Sequence, residues 1–221
     1  IEQIRKGNLT IQVKDGSGKP IPGAVVHALL RKHAFGFGTC VSMKLLDSDA
    51  DAERYRQTLR QLFNCVVIEN ELKWPSLAQY RFERTDRLVK WLRDNNLEIR
   101  GHVLLWPSER YLPRQAVALR DKPDELRKLI AEHITETVSR YRGQLIDWDV
   151  VNEPFANHDL MDWLGNEAMV EWFKLAQAAD PDVHLFINDY EILASGDMLD
   201  TTHQNHYYNT IKSLLDRGAP V

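Results

Sequence analysis

The sequence predicts an α/β protein built as a (β/α)8 barrel and preceded by a small β element. Three observations carry this. Short apolar stretches alternate with long amphipathic segments between residues 34 and 221. No GxGxxG or P-loop follows the first of those stretches, which disfavours a nucleotide-binding open sheet. Polar and acidic residues collect where the apolar stretches end, and that is where barrels of this type carry their chemistry.

Residues 1–33 read as the N-terminal β element. Leu9, Ile11 and Val13 alternate with polar residues, the period of a half-buried strand. A DGSGKP turn cluster follows, and AVVHALL resumes the strand pattern. From residue 34 the expected strands are FGFGTCV (35–41), FNCVVIEN (63–70), LEIRGHVLLW (97–106), LIDWDVVNE (145–153) and VHLFINDY (183–190). Helices are expected over 49–61, 84–94, 124–141, 166–178 and 202–216. Each carries a stripe at i, i+3, i+4 spacing: Tyr55, Leu59 and Leu62 in the first, Tyr207, Ile211, Leu214 and Leu215 in the last. Strict βα alternation implies parallel strands joined by right-handed crossovers. The units average about 37 residues, so eight of them with the N-terminal element need roughly 330. Five are present, and strands six to eight are expected beyond residue 221 in a longer polypeptide.

Composition removes several functional classes. A net charge of −4 on 221 residues is a poor match for nucleic acid or anionic membranes, which need a basic footprint. No apolar run approaches the ~20 residues of a bilayer span. IEQIRKGNLT shows no signal peptide and reads as the start of a mature or excised chain, with a secreted or periplasmic location expected. Cys40 and Cys65 lie in apolar runs without metal-ligand spacing and are expected as buried free thiols. There is no HExxH or Cys/His cluster, and His203 and His206 on one helical face read as surface residues. No metal or cofactor is expected.

At the strand ends stand Glu69 and Asn70 with Lys73 just beyond, His102 and Trp106, Asn152 and Glu153, and Asn188, Asp189 and Tyr190. Carboxylates, amides and aromatic faces on one rim suit a sugar, which needs many hydrogen bonds and a flat apolar platform. Each residue also has a plain structural reading. Lys73 fits an ordinary surface lysine, and Trp74 and Trp106 fit core positions. Asp149, inside an apolar strand, reads as a support residue paired with a cation. Glu153 is the exception, because a carboxylate straight after an apolar strand is a poor packing choice.

IDWDVVNEPF resembles the acid/base motif of the family 10 glycoside hydrolases, the endo-β-1,4-xylanases. FNCVVIENELKW (63–74), IRGHVLLW (99–106) and LFINDYE (185–191) resemble that family's second-, third- and fifth-strand motifs, in order and at compatible spacing. The likeness runs from about residue 35 to the end, and the N-terminal segment resembles the short β region preceding the barrel in some members. The resemblance implies a retaining endo-glycosidase acting on β-1,4-xylosidic bonds, with Glu153 as general acid/base and no cofactor. By position it implies that Asn152 contacts the sugar 2-hydroxyl beside the scissile bond. Lys73, His102 and Trp106 would line that same sugar site, Glu69 and Asn70 the next one toward the non-reducing end, and Tyr190 the leaving-group side. Xylan or a xylo-oligosaccharide is the implied partner, and a monomer the implied state. Two departures stand out. Pro107 replaces a histidine usual after the third-strand tryptophan, and the nucleophile, a glutamate after the seventh strand, is expected beyond residue 221. A barrel glycosidase acting on β-glucan and a non-catalytic polysaccharide-binding protein are the alternatives.

Overall fold

The computed structural model describes residues 7–31, 33–193 and 201–221. The chain divides into two compact units, Ile1–His33 and Ala34–Val221.

In the first unit the turn is as its residues dictate. Asp15 Oδ1 accepts from the Ser17 hydroxyl and from the backbone N–H groups of Ser17 and Lys19. Gly18 supplies the positive φ of +85° that closes the loop. The flanking strands, however, are reduced to one isolated antiparallel bridge, Lys14 with Pro20. Leu9, Val25, Leu29 and Leu30 are exposed. The alternating pattern thus has no packed apolar face among the described residues, and a lone hairpin is marginal in water. Residues 1–6 of the expected element lie outside the described residues.

The second unit is a five-stranded, wholly parallel sheet in chain order: β1 Gly38–Val41, β2 Cys65–Ile68, β3 Glu98–Gly101, β4 Asp147–Asn152 and β5 His184–Asn188. The helices are α1 Ala50–Leu62, α2 Trp74–Tyr80, α3 Glu83–Asp94, α4 Arg114–Val117, α5 Pro123–Arg140, α6 Asp159–Leu164, α7 Ala168–Ala179 and α8 Thr202–Asp216. These are the first five βα units of a TIM barrel, as the alternation predicts. Helix starts follow local chemistry. The Asp49 side chain accepts from Ala52 N at 2.7 Å to cap α1, and α5 opens on Pro123 followed by Asp124 and Glu125.

The strands are shorter than their apolar runs. β3 ends at Gly101, and residues 102–105 continue beside β4 through the N–H groups of Leu104 and Leu105, which donate to Asp149 O and Val150 O. Helices α2 and α6 fall in stretches too short to show a helical period. Leu62 and Leu215, counted in the expected stripes, are exposed, because each lies at a helix end where the stripe has turned away from the sheet.

The core between sheet and helices is built on Trp148, Trp172, Tyr141 and Phe173. Trp148 explains a glycine: a Cβ on Gly101 would lie 2.2 Å from the Trp148 ring. β4 also carries a bulge. Asp149 pairs with Phe186 and Val151 with Ile187, which leaves Val150 extra.

Candidate active site

The predicted residues sit at or just beyond the carboxyl ends of β2 to β5. Lys73 stands just before α2, and its Nζ donates to Asn70 Oδ1 at 3.0 Å while lying 5.1 Å from the Trp106 ring centre. Trp106 meets His102 edge-on at 6.3 Å and stacks on Tyr111 at 3.8 Å and 19°. His102 Nδ1 is 2.9 Å from Asp149 Oδ2, and Arg100 donates to the other oxygen of that carboxylate. The buried Asp149 is therefore the support residue its strand position predicts.

At the end of β4, Asn152 is fully buried, and its Oδ1 accepts from Asn188 Nδ2 at 2.7 Å. Glu153 follows at φ +55°, a left-handed conformation unusual for a non-glycine residue. Its N–H donates to Asn188 O at 2.7 Å, and its Oε2 accepts from Asn157 Nδ2 at 3.3 Å. The carboxylate is half-buried. The bulge bears on this arrangement. Phe186 and Asn188 stand two apart on β5 and share a face, yet their partners Asp149 and Asn152 are three apart on β4.

Tyr190 is exposed and meets His203 edge-on at 4.9 Å. Partial burial, and then the negative charges of Asp189, Glu191 and Glu153, push its hydroxyl above the ordinary tyrosine value. Glu69 is exposed, its N–H donating to Val41 O.

Trp74 is core, the plain structural reading of its position, stacked on His133 at 4.3 Å and 10°. Other expectations are corrected. Cys40 and Cys65 are free, but Cys40 is exposed and Cys65 only partly covered, since both belong to the thinly covered β1–β2 end of the sheet. His203 is not a surface residue. It is buried, stacks on Phe155 at 4.1 Å and lies 3.2 Å from Asp189, while His206 meets the other side of that packing. Burial lowers the His206 pKa against the opposing charge of Asp189, with His203 and His158 adding to the lowering. No His/Cys/Asp/Glu group among the described residues could hold a metal, and no described helix is long and apolar enough to cross a membrane. The sequence reading missed Tyr111, Arg100 and Asn157. Only the first had a visible signal, a tyrosine in the loop straight after Trp106.

The sequence profile of glycosyl hydrolase family 10 matches residues 26–221. The chain belongs to that family. It is 34% identical over 86% of its length to anti-sigma-I factor RsgI6 of Acetivibrio thermocellus, covering 25% of that protein. It is 31% identical over 98% of its length to endo-1,4-beta-xylanase 3 of Hypocrea jecorina, covering 62% of it. Among solved structures, xylanase 10B of Thermotoga petrophila in complex with xylobiose matches with a TM-score of 0.73 and 29% identity, over 83% of this chain and 57% of that one. The chain thus spans between a quarter and about three-fifths of the length of these proteins.

Proposed function

We propose that this chain carries the acid/base half of a retaining endo-β-1,4-xylanase. The observation that carries the reading is Glu153. It is half-buried at the end of β4, turned off the strand by its positive φ, and anchored through its backbone to Asn188, which in turn holds Asn152. Glu153 first gives a proton to the leaving glycosidic oxygen, then takes one from the water that resolves the glycosyl-enzyme. Asn152, fixed by Asn188, presents its amide to the sugar 2-hydroxyl. His102, oriented by Asp149, lines the same sugar position with Lys73 and Trp106, and Asn70 and Glu69 lie one sugar further along. Tyr190 stands on the leaving-group side. The nucleophile is not assigned to any of the 221 residues. It would stand about 5–5.5 Å from Glu153 across the scissile bond. Pro107, where a histidine is usual, makes this rim less polar.

A second reading is a polysaccharide-binding module without turnover, which the stacked Trp106–Tyr111 platform favours, since it can hold a sugar ring without any bond being broken. One experiment separates the two: reducing ends released from xylan by the protein and by Glu153→Gln, beside xylo-oligosaccharide binding by both. Turnover lost in the variant supports the acid/base assignment, and unchanged turnover removes Glu153 from the mechanism. Binding without turnover in either protein supports the second reading. Preference for a β-glucan over xylan would reassign the substrate.

A further inference from the structure

A cavity of about 370 Å³ opens beside the proposed sugar site, lined by Asn70, Lys73 and Trp106 of that site and by Tyr80, Arg110 and Tyr111. Among its described lining residues the charged side chains are Lys73 and Arg110, both cationic. Glu69 and Glu109 adjoin Asn70 and Arg110 in sequence but do not line it. The cations are arranged over aromatic rings. Lys73 Nζ lies 5.1 Å from the Trp106 centre, and Arg110 Cζ 5.3 Å from that of Tyr111. Arg84 Cζ lies 4.7 Å from the centre of Tyr80, although Arg84 does not itself line the cavity. Trp106 and Tyr111 are themselves stacked, giving a flat apolar surface two rings thick.

A neutral pentose uses such a platform, with Lys73 as a hydrogen-bond donor, but has no use for a second cation beside it. A pyranose bearing a carboxylate uses both, since a guanidinium fork matches a carboxylate through two parallel hydrogen bonds. We propose that this cavity selects a uronic acid branch on the xylan chain, with Arg110 as the specificity-determining residue and Tyr111 as part of the surface beneath the sugar. The inference rests on the proposed function above, in which the main chain passes Lys73 and Trp106.

The test is calorimetric titration of the 221-residue protein with three ligands at low and high salt. They are a linear xylo-oligosaccharide, the same oligosaccharide with one glucuronic acid branch, and that branched ligand with its carboxyl reduced to the alcohol. The acidic ligand is expected to bind about five- to tenfold tighter than the reduced one at low salt, and the margin shrinks at high salt because the site is open to water. Arg110→Gln keeps hydrogen-bonding capacity without the charge. It should abolish the margin and change linear binding by less than about twofold. Equal affinity for the acidic and reduced ligands, with the linear one still bound, overturns the inference and leaves the proposed function standing. Equal weakening of all three by Arg110→Gln also overturns it, as does competition by unbranched oligogalacturonate as strong as that of the branched ligand. No binding of any of the three by the unmodified protein overturns both.

Discussion

His102 Nδ1 and Asp149 Oδ2 lie 2.9 Å apart, and the other oxygen of the same carboxylate is taken by Arg100. The Asp149 side chain is only 3% exposed, so this one buried anion fixes both a ring at the proposed sugar site and the Arg100 guanidinium. Asp149→Asn is expected to cost roughly 3 kcal/mol, the low end for a broken buried pair because Arg100 keeps access to water. Urea unfolding measures it, and a loss below about 0.5 kcal/mol would show that the pair contributes little to stability.

His133 makes stability depend on pH. Its Nε2 lies 2.9 Å from Leu104 O, its ring stacks on Trp74, and burial lowers its pKa from 6.5 to about 4. Between those values the unfolded chain takes up a proton that the folded chain refuses. The contribution is therefore complete above pH 6.5 and falls as the pH drops toward 4, by up to about 3 kcal/mol. His133→Phe should flatten that limb of a plot of urea midpoint against pH. An unchanged slope would place the acid sensitivity elsewhere.

Gly101→Ala tests the closest approach in the core. The added methyl would stand 2.2 Å from the Trp148 ring, which is fully buried and has nowhere to turn. A loss of about 1–3 kcal/mol is expected, read as a lowered thermal midpoint. Neutral behaviour would mean that the sheet parts more easily than its packing implies.

Asn188→Ala removes the donor that Asn152 Oδ1 accepts at 2.7 Å. A buried carbonyl without a partner costs about 1–3 kcal/mol. If Asn152 positions the sugar, xylo-oligosaccharide affinity should fall together with stability. Stability lost with affinity intact would confine the pair to a structural role.

Much of the barrel is visible in the sequence because buried parallel strands are continuous apolar runs and their helices carry a single stripe. The site is visible for the complementary reason: Asn152, Glu153, His102 and Lys73 interrupt or end those runs where packing gives no reason for polarity. What escapes is set by contacts between distant segments. His203 reads as a surface residue until Phe155 and Asp189 are brought to it from the β4 and β5 loops. Trp74, opening α2, and Trp106, in the loop after β3, have the same side chain beyond a strand end, yet only the former packs on His133 and belongs to the core. Leu9, Val25 and Leu29 keep a strand's alternation without a packed face. Periodicity records that a face is apolar and says nothing of whether anything covers it.

The extra residue in β4 lets that strand keep step with both of its neighbours. On the β5 side, Asp149, Val151 and Asn152 stand opposite Phe186, Ile187 and Asn188, so loss of Val150 alone would leave Asn152 facing Asn188. On the other side, the Val150 carbonyl accepts from Leu105 N–H, and the Asn152 N–H donates to Leu105 O. Shortening the strand by one residue would therefore spare the seam with β5 and break the seam with the segment that carries His102 and Trp106. Among relatives, a one-residue gap between Asp149 and Asn152 would mark a rim whose two halves have slipped past each other.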